Sequence, residues 1–237
     1  MVIMLFRWRC ELVNNGMKEG NMFSVVTIAR EYGSGGAEVG RRAAEMLGWT
    51  LVDRQIIERV AAMGKIDCKW AEEADEQSCG WWERVLSGFR HGGPEVYVGG
   101  VADTGVDRDA LQQFTARVIE EAGKAGNCVI VGRSSQCVLR KEPNVLNVLV
   151  YAPLEEKLER MKHRHPHERD LQGLLRRMDA ERLHYAQEYF GCDSRERGLY
   201  HLCLNSTLGL DACAEVIVNA IHLSKTKQRP EKEETPV

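Results

Sequence analysis

The sequence predicts an α/β fold in which a parallel sheet of about five strands carries helices on both faces. Continuous apolar runs begin at Val25, Cys128 and Val145, and runs without alternation are typical of parallel strands buried on both faces. Each run is followed by a stretch with apolar residues at helical spacing. Because strands that alternate with helices form parallel sheets, we expect ligands at the carboxyl ends of these strands.

The first strand, predicted over residues 25–29, leads through a glycine cluster into a helix predicted over 36–47. Gly48 is a suitable helix end, since glycine readily adopts the left-handed conformation that closes many helices. A short strand over 49–52 and a helix over 55–63 follow. The later elements are helices over 109–122, 154–164, 171–190 and 210–223, and strands over 128–131, 145–151 and 202–205.

These elements define one domain over residues 23–224. Residues 1–22 show no clear period and are interpreted as a loose extension, with Met22 as an alternative start. Residues 225–237 are charged and contain proline, so we expect them to be disordered. Within the domain, residues 64–108 combine tryptophans with glycine-rich stretches, and helical pieces joined by a mobile loop fit that composition best.

The composition is that of an ordinary globular protein. The chain has 237 residues, 43% of them hydrophobic, and a net charge of -3, which gives no reason to expect nucleic acid or an anionic membrane as a partner. No apolar run approaches the roughly 20 residues of a membrane span, so a cytoplasmic protein is expected. None of the eight cysteines forms a C-x-x-C pair, and we predict buried, reduced thiols rather than disulfides or zinc ligands.

A glycine cluster between the first strand and the first helix is the candidate phosphate site. It consists of Gly33, Ser34, Gly35 and Gly36. In such a turn, backbone N–H groups can converge on an anion and the helix start adds partial positive charge. The cluster departs from the G-x-x-x-x-G-K-[ST] motif, because Arg30 stands at the first glycine and Gly36 at the lysine. A tight turn before a packed helix explains the same residues.

Further polar residues follow the predicted strands and would share the ligand edge of the sheet. They are Asp53, Gly132, Arg133, Asn205 and Ser206. Arg133 directly follows a buried strand, and we favour a functional role for it because a guanidinium can hold two phosphate oxygens at once. Asp53 is either the N-cap of a helix or a residue that orients magnesium-bound water or the acceptor. Both interpretations of Asp53 stay open.

Five segments, in the expected order along the chain, resemble the cytidylate kinase-like proteins, a branch of the P-loop nucleoside monophosphate kinases. They are residues 27–49, 51–60, 128–140, 178–191 and 200–217. The resemblance implies a P-loop NTPase-like fold, ATP and Mg²⁺ as cofactors, and phosphoryl transfer to a nucleoside monophosphate or a related small acceptor. Many members of this family share a glycine loop without lysine, so its absence here is a feature of the branch.

On the acceptor side, the resemblance implies that residues 64–108 form a helical insert that holds the monophosphate. Arg59 and Arg133 match arginines that bind this monophosphate. Val131 and Ser134 stand where cytidylate kinases have aspartates, so selectivity for cytosine is not implied.

On the ATP side, the resemblance implies a lid over residues 162–200 that closes on binding. When the motif is aligned over the following helix instead, Glu38 stands where the magnesium-binding hydroxyl normally sits, and it is predicted either as a magnesium ligand or as a favourable charge in the first helical turn. The residues expected to contact ATP are Arg30, Gly33, Ser34, Gly35, Gly36, Asn205 and Ser206. The candidates for a catalytic role are Arg133, Arg177, Arg182 and Asp53.

Two other functions remain open from the sequence. A non-catalytic nucleotide- or anion-binding module of the same fold would explain why the lysine and the hydroxyl are absent. A regulatory or scaffold protein that works as a homodimer would use the tryptophan-bearing segment as its interface.

Overall fold

The computed structural model describes residues 22–53 and 108–224. The strands are β1 (Val25–Arg30), β2 (Thr50–Val52), β3 (Cys128–Val131), β4 (Val145–Tyr151) and β5 (Leu202–Asn205). The helices are α1 (Gly36–Leu47), α2 (Arg108–Ala125), α3 (Ser135–Val138), α4 (Leu154–Arg164), α5 (Leu171–Phe190) and α6 (Leu210–Leu223). Single 3₁₀ turns cover Arg197–Leu199 and Ser206–Leu208. The predicted N-terminal extension, the helix over 55–63, nearly all of the insert and the tail lie outside the described residues.

The five strands form one parallel sheet in the order β2-β3-β1-β4-β5. Val25 of β1 lies opposite Cys128 of β3 and Val145 of β4. The three apolar runs therefore lie side by side at the centre, where strands are covered on both faces and must be apolar. The predicted fold class, with β1 at the centre of the sheet, is confirmed.

Helices cover both faces of this sheet. Alternate residues of β1 point to opposite faces, so β1 contributes to two separate cores. Val26 and Ile28 pack in one core with residues of α1 and α6, whereas Val25 packs in a second core with residues of α2. Thr27 is buried as well, and its hydroxyl donates to Asn147 Oδ1 at 2.6 Å. Within the described stretches, no helix combines the length and the apolar character needed to cross a membrane.

The parallel arrangement brings several chain turns to one edge of the sheet. Arg30 ends β1, Asp53 follows β2, Gly132 follows β3 and Ser206 follows β5. Since all five strands run in the same direction, their carboxyl ends meet at this edge, which is where open α/β sheets bind ligands. The sheet thus collects the residues that the sequence predicts for the site.

The prediction of reduced cysteines is wrong for one pair. Cys137 on α3 and Cys192 after α5 form a disulfide, with their Cα atoms 6.0 Å apart. The two residues are 55 positions apart in the sequence, and only the packing of α5 against α3 brings them together. Three other described cysteines are free thiols, namely Cys128, Cys203 and Cys213.

Candidate functional site

The glycine loop joins β1 to α1. Gly33 and Gly35 have φ angles of 82° and 79°, in the left-handed region that L-residues with a side chain rarely adopt. The buried Ser34 hydroxyl donates to Glu31 O at 2.8 Å and so braces the turn. Among the described residues, no acceptor is bonded to the amides of Gly33 and Gly35. These two amides can therefore donate hydrogen bonds to an anion at the start of α1.

Close packing also requires glycine in this loop. A Cβ atom on Gly35 would lie 2.7 Å from Leu210 Cδ2, and one on Gly33 would lie 3.2 Å from Lys157 Cβ. A tight structural turn would place the same demands on the chain. Phosphate binding by the loop therefore stays a prediction.

Arg160 joins the glycine loop to the turn after β5, a role that the sequence analysis missed. Its Nη1 donates to Ser34 O at 3.1 Å and to Ser206 Oγ at 3.0 Å. Both accepting segments are predicted to contact ATP, so Arg160 fixes their relative positions. Nothing in the sequence marks this arginine, because α4 carries charged residues along its whole length.

Asn205 has a local role at the same turn. Its Oδ1 accepts hydrogen bonds from the amide and the hydroxyl of Thr207, both at 3.1 Å. The Asn205 side chain therefore shapes the turn after β5, as an N-cap does. The predicted contact between this turn and adenine stays a prediction.

Three arginines and one carboxylate meet at the carboxyl edge of the sheet. Burial lowers the pKa of Arg30 to about 10, nearby Arg182 and Arg133 lower it too, and Asp53 opposes them. A cation in such surroundings favours an added anion, which restores the balance of charge. The structure thus brings Arg30, Asp53, Arg133 and Arg182 close together, and the roles predicted for them stay predictions.

Helix α5, which lies in the segment predicted as a lid, packs directly on the glycine loop. Asp179 Oδ1 accepts the amide hydrogen of Tyr32 at 2.6 Å, and the Tyr32 hydroxyl bonds His165 Nε2 at 2.9 Å. The guanidinium of Arg182 lies 5.2 Å from the centroid of the Tyr32 ring. Burial raises the pKa of Asp179, while the bond from Tyr32 acts in the opposite direction. These contacts hold α5 against the glycine loop.

A cavity of about 630 Å³ lies between the sheet edge and α5. Its lining combines cations, carboxylates, aromatic rings and apolar side chains, the carboxylates being Glu31, Asp179 and Glu181. Examples are Arg30, Arg133, Arg182, Tyr185, Tyr200 and Leu149. A smaller cavity of about 280 Å³ shares Arg133 and Tyr185 with it. Cations beside flat apolar surfaces suit a ligand that joins an anionic group to a planar or apolar body.

Several of the described site residues predicted from the sequence do not line this cavity, namely Gly33, Ser34, Gly35, Gly36, Glu38, Asp53, Arg177, Asn205 and Ser206. Arg177 is exposed on α5 and does not line it, and Arg59 lies outside the described residues. The Glu38 carboxylate accepts from Arg41 Nη2 at 2.6 Å and from Arg42 Nε at 2.8 Å. These bonds lower the pKa of Glu38 to about 2. The roles predicted for these residues stay predictions.

The residues present offer little to magnesium on their own. No group of three or more His, Cys, Asp or Glu residues that could hold a metal occurs in the described part of the chain. Glu38 could bind magnesium only if its ion pairs with Arg41 and Arg42 opened. Magnesium in phosphotransferases is, however, commonly held by one or two carboxylates together with substrate phosphates.

Comparison with known proteins gives one family match. The model of the cytidylate kinase-like family matches residues 25–208. This interval begins at β1 and ends with the turn after β5, so it contains the glycine loop, the arginine cluster and the lid helix. No curated protein matches the chain.

Solved structures support the fold. An uncharacterized protein from Eubacterium ventriosum superposes with a TM-score of 0.59 at 18% identity, covering 83% of this chain and 97% of its own. A shikimate kinase from Acinetobacter baumannii, solved with shikimate, gives a TM-score of 0.46 at 17% identity, covering 85% and 94%. At 18% identity, the likeness to the first structure concerns the fold alone. The TM-score of the second structure is too low to support the fold assignment.

Proposed function

Because this chain belongs to the cytidylate kinase-like family, we propose that it is a phosphotransferase that moves the γ-phosphoryl group of ATP to a nucleoside monophosphate. One observation carries the proposal: Arg30, Arg133 and Arg182 line a single cavity at the carboxyl edge of the sheet. Phosphoryl transfer needs in-line placement and positive charge more than covalent chemistry. Three guanidinium groups supply that charge.

The donor and the acceptor are proposed to lie at opposite ends of the Arg30 side chain, which runs from Gly36 to Gly132. Toward the donor end, outside the cavity lining, the glycine loop offers backbone amides, and Arg160 ties the loop to Ser206. At the acceptor end, Arg133 lies where the two cavities meet. A planar guanidinium binds a phosphate through two parallel hydrogen bonds, so Arg133 is proposed to hold the monophosphate.

Tyrosines line the acceptor end. Tyr185 and Tyr189 have ring centroids 5.0 Å apart, and both border the smaller cavity. Aromatic surfaces of this kind pack well against a planar base. The proposal therefore names a nucleoside monophosphate as acceptor, with no base preferred.

Magnesium would enter together with ATP in this proposal. When bound, it would supply neutralisation of the phosphate charge during phosphoryl transfer. Asp53, next to Arg30, is the carboxylate of the cluster. The guanidinium groups bind and orient the phosphates, and the packed lid helix excludes water from them.

A non-catalytic nucleotide- or anion-binding module is the second candidate. The observation in its favour is that the Glu38 carboxylate is held by Arg41 and Arg42, while lysine is absent from the loop. Such a module would bind ATP and release no ADP.

Two measurements separate these functions. Calorimetric titration of ATP with and without magnesium tests binding, and coupled ADP release across nucleoside monophosphates tests turnover. Turnover with at least one acceptor is expected. ATP binding without ADP release from any acceptor would favour the binding module, and no ATP binding would refute both.

A further inference from the structure

We propose that Arg30 and Gly36 are an exchanged pair: Arg30 carries the phosphate-binding cation that other P-loops carry as a lysine at the position of Gly36. In this arrangement the Arg30 guanidinium stabilises the phosphoryl group in transit between ATP and the acceptor. The catalytic part of the inference rests on the proposed function. The steric part rests on packing alone.

The steric part follows from the space around Gly36. A Cβ atom on Gly36 would lie 2.7 Å from Arg30 Cβ and 3.1 Å from Val150 Cβ. Both neighbours are first side-chain atoms, fixed to the backbones of paired strands, since Arg30 lies opposite Val150 in the sheet. Such atoms cannot move aside as the end of a flexible side chain can. Any residue larger than glycine at position 30 therefore requires glycine at position 36.

The same constraint explains the motif difference. The G-x-x-x-x-G-K-[ST] pattern pairs glycine at its first position with lysine at its seventh. This chain has arginine at the first position and glycine at the seventh. With glycine at position 30, the shortest contact of a side chain at position 36 would vanish. The two substitutions are therefore alternatives that exclude one another.

The path of the Arg30 side chain shows where its charge goes. Its Cβ and Cδ atoms lie beside Gly36. Its guanidinium lies at Gly132, where an added Cβ atom would be 2.0 Å from Nη1. Gly132 has a φ angle of 79° and directly precedes Arg133. The side chain thus runs from the proposed donor loop to the proposed acceptor turn.

The charge around this guanidinium favours an anion at that point. Burial and the neighbouring Arg182 and Arg133 act against the charged form of Arg30, and Asp53 is the carboxylate that offsets them. Asp179 pairs with Arg182 at 3.7 Å, yet both neighbouring guanidinium groups still repel that of Arg30. A phosphoryl group, with negative charge spread over its equatorial oxygens, offsets this repulsion.

The transfer step balances without a further reactant. The bond from the γ-phosphorus to the β,γ-bridging oxygen breaks, and its electron pair leaves with ADP. A phosphate oxyanion of the acceptor forms the new bond to the γ-phosphorus. Because that oxygen is already deprotonated at neutral pH, no proton has to move.

A variant cycle at positions 30 and 36 tests the steric part. The proteins are wild type, Arg30→Gly, Gly36→Lys and the double variant, compared by thermal unfolding. Gly36→Lys alone is expected to lower Tm by about 5 °C or more, as overpacking does. In the Arg30→Gly background the same change is expected to cost less than half as much. An equal loss of Tm in both backgrounds would refute the exchange.

The same proteins and Arg30→Lys test the catalytic part through ADP release. Arg30→Gly is expected to lower kcat by about 100-fold or more, with the KM for ATP changed by less than about threefold. Arg30→Lys and the double variant are each expected to have a kcat at least tenfold above that of Arg30→Gly. Unchanged kcat in a folded Arg30→Gly protein, or a double variant no faster than it, would overturn the catalytic role. The unfolding cycle still decides the steric part if the wild type shows no turnover, a result that would refute the proposed function alone.

Discussion

Arg182 Nη1 donates a hydrogen bond to the main-chain oxygen of Arg30 at 2.8 Å. The bond ties helix α5 to the last residue of β1, although the two residues are 152 positions apart. The same guanidinium lies over the ring of Tyr32. The position of α5 and the geometry of the glycine loop are therefore linked through one side chain.

Replacing Arg182 tests this link. Arg182→Ala removes a cation from the cavity and the bond to Arg30, so kcat/KM for phosphoryl transfer is expected to fall by about 100-fold or more. Steady-state ADP release measures the effect. Lys162→Ala is the control, because Lys162 is an exposed residue of α4 that pairs with Glu159. Equal kcat/KM in Arg182→Ala and the control would contradict a role for Arg182.

Gly35→Val tests phosphate binding by the loop. Valine is strained at a φ angle of 79° and its Cβ atom would lie 2.7 Å from Leu210 Cδ2, so we expect ATP binding to be lost. Gly48→Val is the matched control, since Gly48 has a φ angle of 65° and open space around it. Calorimetry of ATP with magnesium, with circular dichroism as a folding check, gives the comparison. If folded Gly35→Val binds ATP as well as wild type, the loop is only a turn.

Arg133→Ala tests whether Arg133 binds the acceptor rather than ATP. Loss of a bidentate phosphate contact is expected to lower the affinity for a nucleoside monophosphate by about tenfold or more, with the affinity for ATP changed by less than about threefold. Separate calorimetric titrations of the two ligands measure this difference. Arg140→Ala provides the control, because Arg140 is exposed. Equal weakening of both ligands would show that Arg133 does not discriminate between the two sites.

The Cys137–Cys192 disulfide is expected to stabilise the fold. It closes a sequence separation of 55 residues, and constraints of this kind typically contribute roughly 2–4 kcal/mol to the free energy of unfolding. The double variant Cys137→Ser, Cys192→Ser should lose that amount, and reductant should then have no further effect. Cys203→Ser, at an exposed free thiol, controls for the substitution. Unchanged stability of wild type in reductant would argue against the bond.

The lowered pKa of Glu38 leads us to expect a pH dependence of stability. Its pKa is lowered to about 2 in the folded chain by bonds from Arg41 and Arg42, whereas the ordinary value is 4.5. A lowered carboxyl pKa stabilises the fold above the ordinary value, and the effect is lost as pH falls from about 4.5 to about 2. Denaturant unfolding should therefore show Glu38→Gln less stable than wild type at pH 6, with the difference shrinking over that window. A difference that stays constant with pH would exclude this coupling.

The sequence by itself determined the fold class and most of the described elements, but not the four-residue helix α3. Apolar runs at Val25, Cys128 and Val145 identified the central strands, and these became neighbours in the sheet. Glycine marked both the loop and the end of α1 at Gly48. Such signals are local, because periodicity and backbone preference act over a few residues. Since parallel strands end at one edge, the residues of that edge followed as well.

Only the tertiary structure decided which side chains meet. Arg160 bonds Ser34 across 126 positions, and Cys137 reaches Cys192 only where α5 packs on α3. The lack of room for a side chain at Gly36 depends on Arg30 and Val150, which the pairing of β1 with β4 places side by side. Contacts of this kind join segments that are far apart in the chain, and no short pattern records them. Packing places the Arg30 side chain beside Gly36, whereas the motif alone showed only a missing lysine.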